Sequence, residues 1–285
     1  MLTSPVTAGG ISRLDAGVTN VGKQNLSQSR LLVGTAPAAA LPAGASLLAT
    51  VYGPDAAFCT VAADGSSAAC EFGSLRRGQN RSVSFLVRFA TAGAATIDIA
   101  VKFAEQVNDN GSNEDTFHAA AAVTVGATTC DAVATFVPPG QAARLGTDFS
   151  TCTDDPQTTA LNIPGQAGGA LAFVGEESSS ACAAGKSCFG QGSRASVNGG
   201  ANLGILVWTI SWAVSGLPNG FNPRQSGVVH LLDDGSTLVI ENTKRNACKN
   251  ATQVNCLESF GYSADGLRLI AIIRTPTNGV MRGLG

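Results

Sequence analysis

The chain has 285 residues, of which 44% are hydrophobic and 13% are charged, and its formal net charge is -2. This composition is typical of a globular protein long enough for two domains, and it excludes an intrinsically disordered chain. The sequence contains no block of basic or acidic residues, so it offers no cluster of cations to nucleic acid and no charged patch to an anionic membrane. The most apolar run, residues 203–217, is shorter than the roughly twenty residues of a spanning helix. We expect neither nucleic-acid binding nor membrane insertion.

Alternating apolar and polar residues predict β-strands in the first half of the chain. In the clearest case, residues 82–89, Val83 and Phe85 share a face with two further apolar side chains, and residues 97–103 repeat the pattern. A short turn at Ala92–Gly93 separates these two runs, so they predict an antiparallel hairpin. Further strands are predicted at residues 14–18, 48–51 and 116–125.

The second half of the chain shows the same alternation. Trp208 and Trp212 lie on one face of a predicted strand, and turn residues follow that strand at 217–220. The clearest hairpin joins residues 228–232 to 237–241 through a turn rich in aspartate. A final strand is predicted at residues 267–273, and glycine-rich loops at 165–169 and 195–204.

The spacing of these elements predicts the domain organisation. Helical periodicity never extends beyond about two turns, so the expected fold class is all-β. Strands at this spacing are typical of β-sandwiches, and we predict two sandwich domains, over residues 1–126 and 127–285.

The eight cysteines fall into four local couples, each closing a short loop. Zinc is the alternative interpretation, but no C-x2-C pair occurs and the two histidines, His118 and His230, lie far from the cysteines. We therefore predict disulfides, with sequential pairing as the simplest of many connectivities. Disulfides indicate an oxidising compartment, so we expect an extracellular or cell-surface protein. The candidate pairs are Cys59 with Cys70, Cys130 with Cys152, Cys182 with Cys188, and Cys248 with Cys256.

The first six residues, Met-Leu-Thr-Ser-Pro-Val, have neither the basic region nor the apolar region of a signal peptide. Export is therefore expected either after removal of a leader from a longer chain or by another route, such as inside a virion.

The first half of the chain carries a set of short motifs in a fixed order. They are Val18–Thr19–Asn20–Val21–Gly22, the paired Cys59 and Cys70, Phe72–Gly73–Ser74–Leu75, Arg77–Gly78–Gln79, Thr91–Ala92–Gly93, and a closing turn over residues 108–116. This order resembles the Ig-like conserved-repeat family of bacterial and archaeal envelope proteins, a domain of unknown function, over residues 14–125. Glu114 departs from the family pattern, which has a second asparagine in the closing turn. The resemblance implies an immunoglobulin-like repeat or spacer of a large secreted, surface or fibre protein, and it brings no catalytic residues. We recognise no family in the second half.

Two groups of residues are candidate ligand sites. Oxygen-bearing side chains are concentrated in the turn before residue 116, and Ca²⁺ prefers oxygen ligands, although the spacing is not that of an EF-hand and an ordinary Asx turn is the alternative. Trp208 and Trp212 form a candidate sugar-binding platform, with burial in the core as the alternative. The candidate Ca²⁺ ligands are Asp109, Asn110, Asn113 and Asp115.

The sequence lacks a catalytic constellation that we can recognise. The motif nearest to a nucleophile elbow, residues 261–265, has no second glycine, and His230 is expected at the surface of a sheet. The adjacent acids of Asp154–Asp155, Glu176–Glu177 and Asp233–Asp234 point in different directions, so they do not form an acid/base pair. We expect a non-enzymatic structural or scaffold protein without a cofactor, whose partners are copies of itself or other surface proteins. A carbohydrate-binding or adhesin module, with a glycan partner, and a virion decoration or fibre protein are the alternatives.

Overall fold

The computed structural model describes residues 1–35, 39–105, 115–128, 132–147, 157–177, 182–200 and 202–285. Within these ranges the chain is all-β, with short 3-10 turns as its only helical segments. None of the described helical segments has the length and apolar character needed to cross a membrane. The chain separates into two compact units, Met1–Ala127 and Thr128–Gly285, and each has its own hydrophobic core.

The first unit contains a six-stranded sheet and a three-stranded sheet. The strands are β1 (Val6–Thr7), β2 (Ile11–Thr19), β3 (Leu26–Val33), β4 (Ala45–Tyr52), β5 (Cys59–Val61), β6 (Ala68–Leu75), β7 (Asn80–Phe89), β8 (Gly93–Glu105) and β9 (Asp115–Gly126). The larger sheet has the order β1-β9-β8-β3-β6-β5, and the smaller has the order β2-β7-β4. Both sheets contribute side chains to one core, including Phe85 of β7 and Ile97 of β8.

The predicted hairpin between residues 82–89 and 97–103 is wrong. The two runs are strands β7 and β8, as the alternation indicates, but they belong to different sheets. Their apolar faces, represented by the fully buried Phe85 and Ile97, meet in the core instead of lying side by side in one sheet. Alternation identifies the buried face of a strand and leaves its hydrogen-bonded neighbour open.

The second unit contains a six-stranded sheet and a five-stranded sheet, with orders β10-β13-β14-β20-β16-β17 and β11-β12-β15-β19-β18. The strands are β10 (Val133–Val137), β11 (Ala143–Gly146), β12 (Gln157–Ile163), β13 (Ala170–Glu177), β14 (Cys188–Asn198), β15 (Leu206–Ala213), β16 (Gly227–Leu232), β17 (Thr237–Glu241), β18 (Cys256–Tyr262), β19 (Arg268–Thr275) and β20 (Gly279–Leu284). The predicted hairpin of β16 and β17 is confirmed.

The core of the second unit is built around β15 and β19, which pair along their full lengths. Trp208 and Ile210 of β15 are fully buried. The loop predicted over residues 195–204 begins later in the structure, because β14 continues to Asn198. Ala195 and Val197 are buried in the same core, so this part of the glycine-rich stretch gains enough apolar burial to remain a strand.

Candidate functional site

The disulfides are the first predicted feature that the structure locates. Bonds join Cys59 to Cys70, Cys182 to Cys188, and Cys248 to Cys256, and the described part of the chain contains no free cysteine. The remaining couple, Cys130 and Cys152, lies outside the described residues. Three disulfides of this local kind are typical of a protein in an oxidising compartment.

Each of these bonds is attached to a strand of a sheet. Cys59 and Cys70 lie directly opposite each other on β5 and β6, so their bond fastens a three-residue edge strand to the sheet. Cys188 begins β14, and Cys256 begins β18. Short loops closed in this way lose conformational freedom in the unfolded chain, which stabilises the fold.

The predicted Ca²⁺ ligands Asp109, Asn110 and Asn113 lie outside the described residues. Asp115, the fourth, is the exposed first residue of β9 and lies opposite Phe103 of β8. Over the described ranges, no group of three or more His, Cys, Asp or Glu side chains is arranged to hold a metal ion.

Trp208 and Trp212 are core residues in this structure and do not form an exposed sugar platform. Trp208 is 0% exposed and Trp212 is 3% exposed. The Trp212 Nε1 donates a hydrogen bond of 2.8 Å to Oε1 of Gln157, and its ring packs edge-to-face against Phe189. The register of β15 turns both indoles inward, so neither presents a ring face to solvent.

His230 was expected at a sheet surface, and the structure corrects this. Its side chain is fully buried, with its ring centroid 5.8 Å from that of Trp208, and a Cβ on Gly279 would lie 2.7 Å from its Nε2. Within the described residues neither ring nitrogen has a hydrogen-bond partner of good geometry. Burial lowers the pKa of His230, and the backbone of Asn278 and the charge of Asp233 oppose that shift without cancelling it.

An open cleft of about 640 Å³ lies at one end of the second unit, between the ends of β14, β16 and β19. Its polar side chains are largely engaged with the protein itself. The Asn278 side chain accepts from the Val197 N–H at 2.9 Å and donates to the Val197 carbonyl at 3.1 Å. Asp233 accepts from Arg194 at 3.0 Å, and Asp234 accepts from the Ser236 N–H at 2.8 Å. The adjacent acids Asp233 and Asp234 are thus explained by an ion pair and a turn.

The free edge of β9 is the most distinctive surface of the first unit. β9 pairs with β8 along residues 115–125, while on its other side β1 covers only Val125 and Gly126. Within the described residues, the outer side of residues 115–124 has no strand beside it. We call the outward side of residues 116–124 the β9 edge. It is a row of backbone donors and acceptors available to another strand.

The other edges of the first unit are short, irregular or partly covered in the described part of the chain. Residues 1–3 hydrogen bond to Arg13 and Asp15 on β2. On β4, the Gly65 carbonyl accepts from the Leu47 N–H at 2.8 Å, and an irregularity in the pairing follows Leu47. β5 is short and held by its disulfide. Bulges, short strands and covering segments are the usual means of blocking strand addition, and among the described residues none of them protects residues 116–124 of β9.

The side chains of the β9 edge add an apolar strip. Phe117 and Ala119 share the core-facing side of the sheet, since they lie opposite Val101 and Ile99 of β8. Phe117 nevertheless remains 64% exposed, with its ring stacked at 5.5 Å on that of Phe103. Further along β9, Val123 is buried, so the core covers one half of the strand and leaves the other open.

Sequence reasoning predicted this strand and did not predict that its edge is open. The sequence feature that could have indicated an open edge is the run of four alanines, Ala119–Ala122, in a strand that carries no lysine and no proline. Natural edge strands usually carry such residues as a guard against association.

No model of a known protein family matches the chain, and no curated protein is significantly similar to it. The function is therefore inferred from the geometry of the described residues.

Proposed function

We propose that this chain is a non-enzymatic structural protein of an extracellular assembly, such as a cell envelope, surface filament or fibre. In this proposal its two units are immunoglobulin-like β-sandwiches, and the first is a repeat of the conserved Ig-like kind that its motifs resemble. The observation that carries the proposal is the β9 edge: within the described residues it is a long, uncharged and open strand edge, on a unit whose other edges are short, irregular or partly covered. A strand from a partner would pair with the β9 edge through main-chain hydrogen bonds and so extend the sheet.

The chemistry of the chain supports this proposal in two further ways. The three disulfides fix hairpins and loops, which suits a protein that must persist outside the cell. The low charge, 13% of residues, allows lateral packing without the cost of burying unpaired ions. A virion fibre or decoration protein would use the same properties, so it is a variant of the same proposal.

Electron microscopy of the protein isolated from its native source without reduction tests this function. We expect ordered filaments, lattices or particles coated with the protein. A reductant should weaken these assemblies, because it breaks the disulfide bonds that stabilise the subunits. Dispersed single molecules in the unreduced preparation would contradict the proposal. A screen of the full chain against glycans would then be the next experiment, with quenching of tryptophan fluorescence as its readout.

A further inference from the structure

We propose that the occupant of the β9 edge is β9 of a second copy of this chain, paired antiparallel about a two-fold axis at Ala119. This inference rests on the proposed function and names the partner. The six-stranded sheet would continue through the pair of β9 strands into the sheet of the second copy, and the contact would be isologous, with the same residues on both sides. Such a contact closes at two copies, so the dimer would be the building unit of the proposed assembly and other surfaces would extend it.

The backbone of β9 determines which groups face the partner. The Gly126 carbonyl accepts a hydrogen bond of 2.9 Å from the Ala8 N–H, so the backbone of Gly126 points away from β8. Backbone direction alternates along a strand, so the same outward direction recurs at every second residue towards the start of β9. The outward residues of the β9 edge are therefore Thr116, His118, Ala120, Ala122 and Thr124.

The register follows from β1, which already occupies the space beside Val125 and Gly126. A two-fold axis at Ala119 places Asp115, the first residue of β9 in the second copy, opposite Val123, so the β9 strand of that copy begins short of the space that β1 occupies. The same axis places His118 opposite Ala120 of the second copy, and Thr116 opposite Ala122, so that outward groups meet outward groups as hydrogen-bonded pairs.

The same register matches large side chains to small ones. Phe117 would lie opposite Ala121 of the second copy, on the face where Phe117 is 64% exposed. The two Ala119 residues would form a non-hydrogen-bonded pair, in which side chains approach most closely. Small residues at the centre and an aromatic residue on each side allow the strands to approach without a clash.

Charge selects the antiparallel arrangement. Asp115 is the only Asp, Glu, Lys or Arg in β9. Antiparallel pairing about Ala119 places the two Asp115 side chains at opposite ends of the contact, whereas an in-register parallel pair would place them side by side. Like charges directly opposite each other destabilise a strand pair.

Sedimentation velocity of the full chain over a concentration series tests the self-pairing. A single strand pair is a small interface, so we expect a dimer that dissociates at micromolar concentrations. The variant A119K places two ammonium groups opposite each other, and we expect its dissociation constant to rise at least about tenfold at low salt, with partial recovery in about 1 M NaCl. The matched control A119T adds a side chain that suits strands and carries no charge, and it should dimerise like the wild type.

Cysteine cross-linking tests the register in the same protein. In A119C the new thiols lie opposite each other and should form an intermolecular disulfide in air, which mass spectrometry identifies. In A120C, the matched control, the two thiols are displaced along the strands and should remain free. Circular dichroism of each variant establishes that it is folded.

Three results would overturn the inference: a wild type that stays monomeric up to about 1 mM, an A119K variant that dimerises like the wild type, or equal cross-linking of A119C and A120C. These failures are distinguishable from failure of the proposed function. A protein that is monomeric when purified but ordered in its native assembly would keep the structural role and assign the β9 edge to a different strand.

Discussion

Replacing Asp55 with alanine is expected to lower the free energy of unfolding of the first unit by about 2–4 kcal/mol, because a buried carboxylate with two partners is lost. Asp55 is 7% exposed. One oxygen accepts from Nη1 of Arg81 at 2.6 Å and the other from the Ser82 N–H at 2.8 Å. The guanidinium of Arg81 also lies 4.9 Å from the ring centre of Phe58. The substitution leaves the Arg81 guanidinium and the Ser82 N–H without the carboxylate that accepts their hydrogen bonds.

The two units can be followed separately in the full chain, since both tryptophans lie in the second unit. Urea unfolding by circular dichroism reports both units, and tryptophan fluorescence reports the second. D55A should shift the circular dichroism transition and leave the fluorescence transition unchanged. The control D98A removes an exposed carboxylate from β8 and should change stability by no more than about 0.5 kcal/mol. Equal effects of D55A and D98A would contradict the assigned role of Asp55.

The stabilisation by Asp55 should also depend on pH. Burial acts to raise the pKa of Asp55, but the hydrogen bonds from Ser82 and Arg81 and the charge of Arg81 together lower it below its usual value. The carboxylate therefore contributes its full stabilisation above the unfolded pKa of about 3.9. As the pH falls below about 4, we expect the difference between wild type and D55A to shrink.

The second unit is expected to lose stability in mild acid because of His230. The pKa of this buried imidazole is lowered by burial, so the unfolded chain binds a proton that the folded unit resists. Stability is then fully present above the unfolded pKa of about 6.5 and declines as the pH falls towards the folded pKa. The slope for one proton is at most about 1.4 kcal/mol for each pH unit. Urea unfolding of the full chain at pH 5 to 8, followed by tryptophan fluorescence, measures how the stability of the second unit changes with pH.

The variant H230L separates this effect from general acid sensitivity. Leucine fills a similar volume without buried nitrogens, so H230L should be at least as stable as the wild type at pH 7 and should show a flatter profile below pH 6.5. The control H118Q changes the other histidine, which is exposed in the first unit, and should leave the fluorescence profile of the second unit unchanged. Parallel profiles for wild type and H230L would contradict the explanation.

Much of the all-β fold could be predicted, because the alternation of apolar and polar residues along a strand shows which face of the strand is buried. The alternation places Val83 and Phe85 on one apolar face of their strand and repeats over residues 97–103, and Val83, Phe85 and Ile97 all lie in the core. Their sheet partners could not be predicted, because pairing depends on contacts between strands distant in the chain. For this reason the alternation predicts both β7 and β8 but pairs them wrongly as a hairpin.

Strands with weak alternation were harder to predict. β14 contains two glycines and two serines, and β20 contains two glycines, so neither resembles a typical strand in sequence. Both are central strands of their sheet, where packing against neighbours outweighs intrinsic preference. The β9 edge was hidden for a related reason: exposure of Phe117 depends on where the opposite sheet ends, which no local pattern records.

Amide hydrogen exchange of β9 tests the account most directly. The backbone N–H groups of Thr116, His118, Ala120 and Ala122 face outward, so they should exchange rapidly in the dissociated A119K variant. In the native assembly, isolated without reduction, the same amides should exchange at least about tenfold more slowly, because a second strand has bonded to them. Equal exchange of β9 in both samples, with protection appearing elsewhere in the chain, would show that the protein assembles through a different surface.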